Sequence, residues 1–83
     1  MVVNTQNAGA AERLRRFTAA HLIPYRLVAV ALGCDVSYVS RVLRGRQNAT
    51  PEQMERIRAA VMRVLWARED GNVDEEALRR GDN

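Results

Sequence analysis

The sequence predicts an all-α domain of four to five helices, on three observations. Apolar residues recur at helical spacing, most plainly as Met54, Ile57, Val61, Val64 and Leu65. No segment alternates apolar and polar residues with the period of two that a half-buried strand needs. Start and stop signals also punctuate the chain at helix-length intervals. A length of 83 residues, 47% hydrophobic and 28% charged, is globular in composition and leaves room for one domain. So short a chain is marginally stable alone, and association would strengthen it.

Residues 1–8 read as a flexible N-terminal arm, 9–68 as the domain, and 69–83 as a C-terminal segment carrying a short helix that aids dimerisation. A first helix is expected from about Gly9 to Leu22, with Leu14, Phe17 and His21 on one face and Arg13, Arg15 and Arg16 around the rest. Pro24 marks a boundary, because it biases Ile23 away from helix and suits the first turn of the next. A second helix, Tyr25 to Leu32, ends at Gly33 as a left-handed cap.

Asp35 is the expected N-cap of a third helix, Val36 to Leu43 or Arg44, closed by Gly45. After the polar loop Arg46-Gln47-Asn48-Ala49, Thr50-Pro51-Glu52-Gln53 supplies an N-cap, a first-turn proline and a capping box. The fourth helix is expected to reach Ala67 or Arg68, and Val73 to Arg80 to form one short further helix.

Residues 25–44 meet a stricter demand than amphipathicity. Two short helices crossing steeply through a tight turn need a small residue at their contact, which Ala29 supplies, and a residue tolerant of positive φ, which Gly33 supplies. Val28 and Leu32 on the first helix, and Val39, Val42 and Leu43 on the second, then close a small core, with Cys34 between them as a small buried residue.

Val28-Ala29, Gly33 and Val39-Ser40-Arg41-Val42-Leu43 resemble the helix-turn-helix of bacterial repressors, close to the lac-repressor headpiece, in which a Val-Ser-Arg-Val run marks the recognition helix. Thr50 falls where that family places the N-cap of its next helix. The helix before Pro24 looks instead like the lambda-repressor and Cro fold class. The resemblance implies a lambda-repressor-like DNA-binding domain with its helix-turn-helix at about 25–44. Pro24 departs from it, standing where those families place a polar N-cap. The length leads us to expect no effector-binding domain of the lac type.

The outward face of the third helix fits the same use. Val36, Ser37, Ser40, Arg41 and Arg44 share one helical face, of a width that enters a major groove about 12 Å across. Val36, Ser37, Ser40 and Arg41 are the candidate base contacts: Val36 for a thymine methyl, Ser37 for either hydrogen-bonding sense, Arg41 bidentate to guanine. Tyr25, Arg26, Tyr38, Arg44, Arg46, Gln47 and Asn48 are the candidate backbone contacts. All 13 basic residues are arginine, for a net charge of +3. An arginine fork suits phosphate and guanine, although a GC-rich coding sequence produces the same bias, so position along the chain matters more than the total.

Other classes fit poorly. One histidine, one cysteine, no phosphate loop and no paired-carboxylate motif give no catalytic set, so no enzyme is expected, nor any metal or organic cofactor. No run approaches the roughly 18 apolar residues of a membrane span, and no signal segment opens the chain, so a cytoplasmic, nucleoid-associated protein is expected. RNA binding ranks lower for want of surface aromatics.

The fourth helix carries more apolar surface than one core needs, with Ala59, Met62 and Trp66 on a second side. A homodimer is expected, with Met62, Trp66, Val73 and Leu78 at or near the interface, reading an inverted repeat in double-stranded DNA with half-sites about 34 Å apart. Two alternatives stay open at this point. The terminal segment folds back over Trp66 within one chain, or the helix-four surface serves a protein partner, as in an interaction module or an antitoxin.

Overall fold

A computed structural model describes residues 5–71 and 73–80, and they form five helices: α1 Thr5–Ala20, α2 Tyr25–Leu32, α3 Val36–Leu43, α4 Pro51–Glu69 and α5 Glu75–Arg80. Among the described residues there is no strand. The expected all-α class holds.

α2 is the hub, packing against α3, α4 and α5, while α1 lies across α4 and α3. Its composition suits that place. Apart from Tyr25 and Arg26 it is wholly apolar, and a helix apolar on all sides must be enclosed. Leu27, Val28, Ala29 and Ala31 are buried and meet Val39, Val42 and Leu43 of α3 and Ile57, Ala60, Val61 and Val64 of α4 in one core. Ala29, the small residue expected where α2 and α3 touch, is buried.

The turns follow from backbone chemistry. After α2, Cys34 N donates to Ala29 O at 3.0 Å and Gly33 N (φ 78°) to Val30 O at 3.2 Å, closing the helix in a Schellman motif. Nothing crowds the place of a Cβ at Gly33, so glycine is required there by dihedral angle and not by space. α4 begins as expected: Thr50 Oγ1 accepts from Gln53 N at 3.1 Å and Gln53 Oε1 accepts from Thr50 N at 2.9 Å.

Several boundaries and burials differ from expectation. α1 starts at Thr5, so residues 5–8 continue the helix where an arm was expected, because Ala8, Ala10 and Ala11 are strong helix formers that extend a nucleated helix. The rest of the expected arm, residues 1–4, lies outside the described residues, as do 81–83 of the C-terminal segment. α1 also stops earlier, at Ala20. Leu22 takes a left-handed conformation (φ 55°), and Ile23 N donates to Thr18 O at 2.8 Å, which turns the chain and buries Ile23. His21 is exposed, its ring 4.3 Å from that of Phe17.

Pro24 occupies the N-cap of α2, one place before the first turn. Asp35 stands at the N-cap of α3, but its side chain makes no capping hydrogen bond. Its carbonyl accepts from Tyr38 N, and the exposed carboxylate is left to solvent. Cys34 is exposed, where a buried residue was expected, because the turn at Gly33 swings it outward. Partial desolvation of its sulfur, and then the neighbouring Asp35 carboxylate, push the thiol above its ordinary range.

Leu78 is the largest correction. Expected at a dimer interface, it is 1% exposed and belongs to the core of its own chain. α5 folds back on α2, and Arg63 of α4 fixes it there, its guanidinium donating to Ala31 O at the end of α2 (3.0 Å) and to Leu78 O. Arg68, a turn further on, donates to His21 O and Leu22 O at 2.5 and 2.9 Å. α4 therefore sends two arginines to carbonyls at the ends of α1 and α2 and in α5, groups that a helix end leaves unpaired.

Candidate nucleic-acid interface

α3 is sharply two-sided. Val39, Val42 and Leu43 are each no more than 1% exposed, while Val36 (41%), Ser37, Arg41 and Arg44 lie on the surface and Ser40 is half-buried. The five candidate residues on the outer face are thus brought together, with Val36 and Ser37 in the first turn and the arginines towards the end.

Arg41 has a defined pose. Its Nε donates to Gln47 Oε1 at 2.8 Å, and its carbonyl accepts from Arg46 N (2.8 Å) and Gln47 N (3.2 Å). Gly45, at φ 76°, lets the chain turn back so that Gln47 reaches Arg41. Gln47, expected at the DNA backbone, accepts from Arg41 through its side-chain oxygen, while its amide nitrogen, the atom that donates to a phosphate, has no partner among the described residues. The terminal guanidinium nitrogens of the exposed Arg41 likewise have none, and they are the two donors that a bidentate contact uses.

The charge around this face is sorted. Arg16 pairs with Glu12 (2.7 Å), Arg58 with Glu55 (2.5 Å), and Arg79 and Arg80 with Glu76 (3.5 and 3.7 Å). Among the described residues Arg15, Arg41, Arg44 and Arg46 have no carboxylate partner, nor do Arg13 on α1 and Arg56 on α4. Arg26 differs from expectation: α5 brings Glu75 against it, and the ion pair occupies a guanidinium expected at a phosphate. Arg46 and Asn48 are exposed in the loop.

Arg15 was not foreseen. It and Arg44 flank an open cleft of about 810 Å³ that also takes in Leu22, Pro24 and Tyr25. Sequence shows Arg15 only as one of three arginines around α1. The left-handed turn at Leu22 is what lays the end of α1 beside the end of α3, and no local pattern announces it. Tyr25 is half-buried at the floor of this region. Tyr38 is half-buried on the other side of α3, in a cleft with Cys34, Gln53 and Arg56, away from Arg15 and Arg44.

The second apolar surface divides. Trp66 (51%) and Val73 (42%) are exposed and Met62 is half-buried, so folding back of α5 buries Leu78 without covering Trp66. Among the described residues no helix is long and apolar enough to cross a membrane, and no three His, Cys, Asp or Glu side chains gather as metal ligands.

Fold and surface together define a class: a small all-α protein with five helices among the described residues, in which α3 presents one exposed helical face beside arginines without carboxylate partners. No protein-family model, curated protein or solved structure matches the chain.

Proposed function

We propose that this protein binds double-stranded DNA sequence-specifically through α3 and acts as a small transcriptional regulator, repressing by occupying its operator as a homodimer. The observation that carries this reading is the exposed α3 face of Val36, Ser37 and Arg41 set among Arg15, Arg44 and Arg46, which lack carboxylate partners among the described residues. Val36 and Ser37 enter the major groove deepest, and Arg41, held by Gln47, meets a guanine. Arg15 and Arg44, which flank one cleft, and Arg46 in the exposed loop take the phosphates on either side. The protein works as a binding module and not as an enzyme, needs no cofactor, and acts in the cytoplasm on the nucleoid.

Arg41→Ala and Arg46→Ala test the division of labour. Arg41→Ala costs about 1–3 kcal/mol on cognate DNA, relaxes one base position and leaves non-specific binding nearly unchanged. Arg46→Ala weakens all sequences alike and reduces the salt slope by about one unit. Equal losses for both variants on cognate and random DNA refute Arg41 as a base reader.

A second reading, a protein-interaction module or antitoxin using the α4 surface, is favoured by the exposed Trp66. Steep salt dependence of DNA binding separates the two.

A further inference from the structure

One face of α4 has the pattern of a helix that packs against another helix yet meets none along its outer edge. Arg58, Met62, Leu65 and Glu69 are spaced four, three and four residues apart, the stagger of a two-helix seam. Met62 and Leu65 in the middle are half-buried, and Trp66 beside them is 51% exposed. Next to this edge runs an open groove of about 730 Å³ between α1 and α4, floored by Leu14, Phe17, Met54 and Met62.

The two ends of the seam carry opposite charges, and the acidic end is unbalanced within one chain. Glu69 is the last residue of α4, where the helix dipole disfavours a carboxylate, and among the described residues it has no cationic partner. Arg68, its neighbour, is spent on the carbonyls of His21 and Leu22. Arg58, three turns earlier on the same face, holds Glu55 of its own helix through two hydrogen bonds (3.1 and 2.5 Å) and is exposed, so a second carboxylate can share its guanidinium.

We propose that a second copy of this chain covers this face, with the two α4 helices antiparallel about a two-fold axis between Met62 and Leu65. In that register Met62 meets the partner's Leu65, and each Arg58 meets the partner's Glu69. Charge decides the direction. A parallel two-fold pairing sets Arg58 against Arg58 and Glu69 against Glu69, whereas the antiparallel one sets opposite charges together at both ends. Trp66, one residue past Leu65, then lies over the Phe17 end of the partner's groove, as a self-complementary contact requires. This deepens the homodimer reading above and rests on it, and it replaces Leu78 with Arg58, Leu65 and Glu69 as the interface set.

Sedimentation equilibrium over a wide concentration range tests the register. Arg58→Glu weakens the dimer by about tenfold or more, because the two-fold axis makes one substitution act twice. Arg58→Glu combined with Glu69→Arg restores the wild-type constant to within about threefold, while circular dichroism shows each variant folded. A wild-type dimer indifferent to Arg58→Glu, or not rescued by the exchange, overturns this seam and leaves the homodimer standing on another face. A wild-type chain that stays monomeric at every concentration overturns both, and binding to a single half-site then decides the DNA reading separately.

Discussion

Replacing Leu78 with alanine tests whether α5 belongs to the core of a single chain. The side chain is 1% exposed and joins the cluster formed by α2, α3 and α4. Deleting a buried leucine costs about 2–5 kcal/mol, the upper part of that range arising where the surroundings cannot close on the cavity. α5 has six residues and is tied through a backbone carbonyl to Arg63, a contact that survives the substitution. The helix can therefore settle inward, and about 2–3 kcal/mol is expected. A domain of this size has roughly 4–12 kcal/mol in all, so the melting temperature should fall by roughly 10–20 °C. Thermal unfolding followed by circular dichroism at a low and a high protein concentration is the assay. The same fall at both concentrations is expected, because the loss lies within one chain. A change of only a few degrees, or a fall that disappears when the protein is concentrated, refutes the placement of Leu78 and returns it to an interface.

Two further outcomes follow from local geometry. Leu22→Gly should stabilise the protein by about 0.5 kcal/mol, raising the melting point by roughly 2–4 °C: relief of a left-handed leucine contributes about 1–2 kcal/mol, and glycine's unfolded-state entropy offsets about half. A lowered melting point shows that the leucine side chain, though 77% exposed, packs against something the turn needs. Alkylation of Cys34 followed against pH should reach its half-maximal rate at a higher pH than for a free cysteine, since its raised pKa delays formation of the reactive thiolate; Asp35→Asn should move that midpoint back down. A wild-type midpoint at or below the free value contradicts the electrostatic account of this residue.

Much of the fold is legible because its signals are local. The Thr50–Gln53 capping box, the left-handed glycines after α2 and α3, and the apolar stripe of α4 are each complete within a few residues, and each appears as expected. The two-sidedness of α3 is legible for the same reason: one turn of helix already separates Val39 and Val42 from Ser37 and Arg41.

What depends on distant residues is not legible. The stop of α1 at Ala20 rests on a leucine in a conformation usually left to glycine, and on Arg68, which lies 46 positions away from Leu22, donating to the carbonyls there. The burial of Leu78 and the pairing of Arg26 with Glu75 depend on α5 returning to α2, which a short apolar and acidic stretch does not specify. Arg15 enters the candidate site through the turn at Leu22, and the loop after Gly45 carries the Gln47 side-chain oxygen to Arg41. In each case the residue type stands in the sequence, and its partner is supplied by tertiary structure.

Selection from a random double-stranded DNA library, with the bound molecules sequenced, tests the reading of α3 most directly. Sequence-specific binding by a two-fold dimer should enrich an inverted repeat whose half-sites lie about one helical turn apart, with a guanine lost from the enriched motif in Arg41→Ala. Recovery of no motif at low salt, where phosphate contacts are strongest, contradicts it.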